Sequence, residues 1–208
     1  MLPSFDTQPF IKRCFDIAAS SIALAILTPA LLVIALLIKK KMGGSIFFKQ
    51  QRPGKNGKIF TLFKFRSMTN LYDNQGKLLP DEQRLTQLGQ FLRSSSLDEL
   101  PALINVIKGD MSLVGPRPLL TSYLSRYSAF QARRHEVKPG ITGWAQINGR
   151  NAINWEEKFT LDVWYVDNQS LWLDAKILVK TFSKVCKREG INHKDKVGMT
   201  EFLGSHRS

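Results

Sequence analysis

The chain has 208 residues, 43% of them hydrophobic and 10% aromatic, enough to bury the core of one ordinary domain and to exclude wholesale disorder. Lys and Arg total 30 against 17 Asp and Glu, and a net charge of +13 implies an anionic partner: nucleic acid, a lipid surface or a phosphorylated substrate. Cys14 and Cys186 are too few for a disulfide framework, no CxxC or His/Cys cluster points to zinc, and both are expected to be packing residues in a reducing compartment.

Ile17 to Ile38, IAASSIALAILTPALLVIALLI, is 22 residues without a charge. At about 1.5 Å per residue it is long enough to cross a hydrocarbon core of about 30 Å. A signal peptide would carry a small-residue cleavage pattern, whereas Lys39-Lys40-Lys41 follow directly; a buried soluble helix would show a polar face. Thr28-Pro29 falls in the middle, where proline removes a backbone donor and clashes with the preceding turn, so a kink or break is expected. Lys12 and Arg13 precede the run and Lys39 to Lys41 follow it, a bias that keeps both ends in the cytoplasm. Each half, Ile17–Thr28 or Pro29–Ile38, reaches only about 15–18 Å, one leaflet. A re-entrant helix–break–helix fits these marks, though only slightly better than a Pro-kinked span.

From Lys39 to Tyr72 there are nine Lys/Arg and no acid. Ser45–Gln50 and Lys58–Arg66 flank Pro53-Gly54-Lys55-Asn56-Gly57 and read as a β-hairpin turning at Asn56-Gly57. Alternation puts Phe60, Leu62, Lys64 and Arg66 on one face. The basic block is either a solvated surface or one that faces an anion. Leu71–Asp81 is loop-like, and Glu82–Leu92 reads as a helix.

Arg93-Ser-Ser-Ser-Leu97-Asp98-Glu99-Leu100-Pro101 follows. Leu97, Leu100, Leu103, Ile104 and Ile107 keep the helical period up to a stop at Gly109, and Pro101 is tolerable only near a helix start. Ser96 and Glu99 have capping-box spacing, which places Asp98 and Glu99 at a helix N-terminus. Acids there complement the helix dipole without any catalytic role. An ionised carboxylate in the same place can also act as a nucleophile or hold a divalent cation. Pro116-Arg117-Pro118 fixes an arginine in extended backbone, a side chain suited to bidentate phosphate contacts. Lys138–Gly143 and Asn148-Gly149-Arg150-Asn151 are turn-rich, suited to a binding loop or an ordinary connection. Trp155–Glu189 is mostly helical, its Trp155, Phe159, Trp164, Tyr165 and Trp172 forming core or an interfacial belt, and the end is a polar tail. No GxxxxGK[ST], GxGxxG or HExxH occurs.

The segments FKQQRPG (48–54), FKFRSM (63–68), RSSSLDELPALINVIKGDMSLVGPRPLL (93–120), VKPGITGWAQINGRN (137–151) and SLWLDAKILVKT (170–181), behind a broken apolar N-terminus, resemble the bacterial sugar transferase family, the monotopic phosphoglycosyl transferases. The likeness covers nearly the whole chain. It implies an α+β fold, mainly α-helical with a small β-hairpin, interfacial helices and a re-entrant membrane helix broken at Thr28 and Pro29. Residues 1–40 would be the membrane-embedded hairpin, 41–190 the catalytic domain and 191–208 a polar tail, at the cytoplasmic face of a bacterial inner membrane. Family members move a sugar 1-phosphate from a UDP-sugar to undecaprenyl phosphate and release UMP, using Mg²⁺; the resemblance extends to members that load N,N′-diacetylbacillosamine phosphate, the first membrane step of glycan assembly. The implied roles are Asp98 as nucleophile and metal ligand and Glu99 as supporting base or orienting group. Lys64, Arg93, Arg117 and Arg150 are candidate phosphate or nucleotide contacts. A non-catalytic membrane scaffold of the same fold, or a basic nucleic-acid-binding module, are the competing readings; the apolar run and the absence of a recognition motif count against nucleic acid.

Overall fold

The computed structural model describes residues 8–149, 153–186 and 201–204. Helix α1 (Gln8–Met42) carries the apolar run and continues unbroken through Pro29, so the break expected at Thr28-Pro29 does not interrupt it. A single missing N–H leaves the hydrogen bonds on either side intact, and the Thr28 hydroxyl donates to the Leu24 carbonyl at 2.7 Å. Among the described residues this is the helix long and apolar enough to cross a membrane.

Both ends of α1 rest on the remainder of the chain. Near its start, Arg13 donates to the carbonyls of Val106 and Ile107 at 2.5 and 2.7 Å, Lys12 reaches Asp174 at 2.5 Å, and buried Asp16 accepts from the Leu113 N–H at 3.1 Å. Near its end, Ile34 and Ile38 are buried against Phe65 and Leu92. Between these anchors Ile22, Ile26, Leu32 and Val33 stand more than half exposed. Lys12 and Arg13, read as membrane flank, are therefore docking ties as well. Cys14, expected to pack, is exposed, because Lys12, Asp16 and Ser20 occupy the docked face at one-turn intervals. The side chain of Cys186 falls outside the described set.

Strands β1 (Phe47–Pro53) and β2 (Ile59–Phe65) form the expected antiparallel hairpin, with Phe48 opposite Lys64 and Arg52 opposite Phe60. Its turn puts Asn56 (φ 55°) and Gly57 (φ 73°) in the left-handed region, which Asn-Gly adopts at little cost. Phe60 and Leu62 bury against Ala102, Val106 and Met111, while Phe65 packs on α1. Arg66, expected to share a face with Lys64, lies beyond the strand and donates to the carbonyls of Gly43 and Met68.

Two short helices, α2 (Asp81–Arg84) and α3 (Gln87–Ser94), replace the single one expected over Glu82–Leu92. Leu85 and Thr86 are extended between them, and the Thr86 hydroxyl caps α3 by accepting from the Gly89 N–H at 3.0 Å. Helix α4 (Ala102–Lys108) stops at Gly109, as expected, with the glycine at φ +93°. Asn105 on α4 is fully buried and substitutes for a third strand: its side-chain carbonyl accepts from the Phe63 N–H at 3.1 Å and its amide donates to the Thr61 carbonyl at 2.7 Å. That pair of bonds fixes α4 to the edge of β2.

Strand β3 (Ser112–Val114) leads through α5 (Ala129–Ala132) to β4 (Gly140–Thr142), and the two strands pair in parallel. Sequence periodicity does not anticipate this three-residue pairing. The backbones meet so closely that a Cβ on Gly140 would lie 2.1 Å from the Gly115 nitrogen. Helices α6 (Trp144–Asn148), α7 (Trp155–Asp167) and α8 (Leu171–Cys186) close the core around Val114, Ile147, Tyr165 and Ile177. On α8, Trp172, Val179 and Phe182 are exposed by 70% or more. The architecture is the α+β, mainly helical class expected.

Candidate active site

Lys64, Asp98, Glu99 and Arg117 converge where the hairpin meets the turn before α4 and the segment after β3. Lys64 comes from β2, Asp98 and Glu99 from a 3-10 turn (Leu97–Glu99), and Arg117 from between Pro116 and Pro118. Asn105 sets the distance between the acid-bearing turn and Lys64, and the two prolines hold Arg117 in extended backbone. The expected capping box is absent. Ser96 sits in the left-handed region at φ 57° with no side-chain capping bond, and α4 begins only at Ala102. The Glu99 carboxylate, which the box would have used, is committed elsewhere.

Glu99 accepts from Lys64 Nζ at 2.6 Å and from both terminal nitrogens of Arg117, at 2.5 and 3.3 Å. Burial alone would raise its pKa, but the Arg117 and Lys64 charges overcome this and hold it well below the usual carboxylate range. Asp98, only 9% exposed, accepts no hydrogen bond from any described residue. Burial first, and the Glu99 charge second, push its pKa up to about 6 against the pull of Lys64, Arg117 and Arg93. The two acids are thereby divided. Glu99 is a fixed anion that organises two cations, while Asp98 has no hydrogen-bond donor among the described residues and binds its proton more tightly than an ordinary carboxyl.

Arg93, on α3, donates from Nε to the Ser67 hydroxyl at 2.9 Å, and its charge reaches Asp98. Arg150 lies outside the described residues. Thr28 and Pro29 are in the exposed middle of α1 and take no part in the cluster. Three further residues belong here that the sequence reading missed. Arg52 on β1 donates to the Pro118 carbonyl at 3.3 Å and to Gln50 Oε1 at 2.6 Å; burial and the Arg117 charge lower its pKa to about 10. Fully buried Arg134 is held by Asp162 of α7 at 2.7 and 3.1 Å and donates to the Arg117 carbonyl at 2.7 Å. Arg52 stands within a quoted segment, and hairpin register would have put it on the Lys64 face. Arg134 and Asp162 are isolated charges 28 residues apart, and nothing in their spacing marks them.

Among the described residues no three His, Cys, Asp or Glu side chains gather. A single free carboxylate, with the remaining ligands drawn from substrate phosphate oxygens and water, is nevertheless a usual Mg²⁺ arrangement, and Asp98 meets it. A carboxylate without a hydrogen-bond donor among the described residues, facing arginine and lysine charges, is equipped for attack on a phosphorus atom.

A family model described as bacterial sugar transferase matches residues 7–188. A Bacillus subtilis protein named uncharacterized sugar transferase EpsL is 57% identical over 195 residues, spanning 94% of this chain and 96% of its own length. The undecaprenyl-phosphate galactose phosphotransferase of Salmonella typhimurium is 39% identical over 198 residues, 87% of this chain. The UDP-glucose:undecaprenyl-phosphate glucose-1-phosphate transferase of Klebsiella pneumoniae is 41% identical over 200 residues, 88% of this chain. This chain spans only 41% and 43% of those two larger proteins.

Proposed function

The chain belongs to the bacterial sugar transferase family and is a phosphoglycosyl transferase, and we propose that it transfers a sugar 1-phosphate from a UDP-sugar to undecaprenyl phosphate. One observation carries the mechanism: Glu99 is tied to two cations while its neighbour Asp98 accepts no hydrogen bond from any described residue. An Asp98 carboxylate oxygen attacks the sugar-bearing phosphorus of the donor. The bridging P–O bond breaks, UMP leaves with the bridging oxygen, and an aspartyl-phosphosugar remains. A phosphate oxygen of undecaprenyl phosphate then attacks the same phosphorus. The acyl-phosphate bond breaks, the carboxylate returns, and the product is the undecaprenyl-diphosphate sugar.

The first attack brings an anion to an anion. At about 4 Å and an effective dielectric of about 20 the repulsion is about 4 kcal/mol, and Lys64, Arg117 and Arg93 are placed to offset it. Glu99 keeps Lys64 and Arg117 fixed, so they need not reorganise as charge develops on UMP. Mg²⁺, when bound at Asp98 and the diphosphate, would supply further charge neutralisation.

A covalent intermediate suits two substrates from different phases, because the water-soluble donor can leave before the lipid arrives. Support for a re-entrant α1 comes from its two ends, docked at Lys12–Asp16 and again at Ile34–Ile38 on one body with an exposed apolar middle between them; to enter and leave by the same face of a bilayer the helix must also bend at Pro29, and that bend is part of this proposal. Trp172, Val179 and Phe182 give α8 an apolar side suited to lie at that face. UDP-N,N′-diacetylbacillosamine is the first donor we assign, on overall likeness, with UDP-N-acetylglucosamine- and UDP-galactose-type donors behind it; the relatives are named for galactose and glucose. The test is UMP release by the detergent-solubilised protein with Mg²⁺ and a panel of UDP-sugars, with and without undecaprenyl phosphate. Turnover with one donor that needs the lipid is expected; no release with any donor would contradict the assignment.

A further inference from the structure

Hairpin register places Arg52 opposite Phe60, and therefore on the face that carries Leu62 and Lys64 toward the acid-bearing turn. Gln50, two residues earlier on the same face, steers its guanidinium through a 2.6 Å bond, and the Pro118 carbonyl receives a second N–H at 3.3 Å. Of the five guanidinium N–H donors these bonds use two. Among the described residues the buried Nε–H has no acceptor, and each terminal nitrogen keeps one N–H that meets none.

The charges are equally incomplete. Lys64 and Arg117 pair directly with Glu99, whereas Arg52 forms no ion pair with any described carboxylate; the Arg117 charge acts on it more strongly than the Glu99 charge does. Two guanidinium groups in a partly desolvated site repel unless an anion joins them. A strut between β1 and Pro118 needs one donor and no charge, and leaving a buried N–H unpaired is costly. The terminal nitrogens, each with one N–H left over, are the donors that can take phosphate oxygens.

We propose that Arg52 is a phosphate-binding residue of this site, holding a phosphoryl oxygen of either the donor diphosphate or the acceptor phosphate monoester. This rests on the phosphoglycosyl transferase reading and adds to it a residue that neither the acid pair nor the Pro-Arg-Pro segment contains. Gln50 is its positioning residue.

The experiment compares wild type, Arg52→Gln and Arg52→Lys in one detergent, measuring equilibrium binding of UDP, farnesyl phosphate and uridine together with the melting temperature. Arg52→Gln keeps a donor for Pro118 and removes the charge. It should weaken either UDP or farnesyl phosphate by about tenfold or more, the value of one charge-assisted bond, with uridine binding and melting temperature unchanged. Arg52→Lys should recover part of that loss. The anion that weakens identifies which phosphate Arg52 holds. Equal binding of both anions by Arg52→Gln would overturn the proposal, as would an equal loss of uridine. Wild type that binds neither anion would instead sink the transferase reading beneath it. Should Arg52→Gln not fold, phenylglyoxal labelling of wild type with mass spectrometry decides: UDP or farnesyl phosphate must protect Arg52 while leaving Arg133 reactive, and unprotected Arg52 under saturating ligand refutes the assignment.

Discussion

The Arg134–Asp162 pair is 1% exposed on both sides and holds the backbone of Arg117, so stability and catalysis should respond to it in separable ways. Asp162→Asn leaves a buried guanidinium with only neutral acceptors among the described residues, including the Arg117 carbonyl at 2.7 Å, the Tyr127 hydroxyl at 3.5 Å and the new amide itself. Breaking one side of a buried ion pair costs about 3–5 kcal/mol, and at about 2–4 °C per kcal/mol for a chain of this size the melting temperature should fall by roughly 6–20 °C. The double variant Arg134→Met/Asp162→Leu removes both charges and fills similar volume, which often restores stability. It cannot restore the bond to the Arg117 carbonyl, so UMP release should stay about tenfold below wild type, one lost hydrogen bond's worth. Thermal unfolding in detergent and initial-rate UMP release on the same preparations separate the two effects. Wild-type melting of Asp162→Asn would refute the burial reasoning, and wild-type turnover of the stable double variant would refute the positioning role.

The raised Asp98 pKa carries a sign for both activity and stability. UMP release should fall as pH drops through about 6, and in Glu99→Gln the residual acid limb should lie at lower pH, since the Glu99 charge holds the Asp98 pKa up; an unmoved limb in a pH–rate series would contradict this. A carboxyl that binds its proton more tightly folded than unfolded costs stability once ionised, so Asp98→Asn should melt higher than wild type at pH 8 and by a smaller margin at pH 4.5; equal margins at both pH values would be inconsistent with a raised pKa. For α1, exposed Cys14 and an introduced Lys41→Cys should both resist a membrane-impermeant maleimide added outside intact spheroplasts and both react after lysis; labelling of either from outside would mean a span. Chelation by EDTA should stop UMP release, and Mg²⁺ should restore it; turnover that survives chelation would remove the metal from the mechanism.

Much of the positioning chemistry is local and hence legible. Asn56-Gly57 announces the hairpin turn, Gly109 ends α4, and Pro116 and Pro118 bracket Arg117, each through a backbone preference that acts within a few residues. The Asp98-Glu99 pair is visible too, but its division of labour is not. Capping-box spacing assigns Glu99 to the backbone of Ser96, whereas two cations from β2 and the Pro-Arg-Pro segment claim it, and their three charge-assisted hydrogen bonds outweigh a cap worth about 1 kcal/mol. Tertiary contact adds a docking role to Lys12 and Arg13 beyond their flanking charge, and it overrides the reading of Cys14 as core. The parallel pairing of β3 and β4 rests on three residues each, too short for any periodicity. Arg52, Arg134 and Asp162 enter the site only through strand register and helix packing, which a lone charge in a sequence does not reveal.

The covalent step is tested most directly by mixing enzyme, Mg²⁺ and the active UDP-sugar without any undecaprenyl phosphate. One UMP should appear per active site, and the peptide containing Asp98 should gain the mass of the sugar phosphate, a gain lost in Asp98→Asn and discharged by adding the lipid. UMP that appears only when the lipid is present, with no mass gain on that peptide, would mean direct transfer between substrates and would contradict Asp98 as the nucleophile.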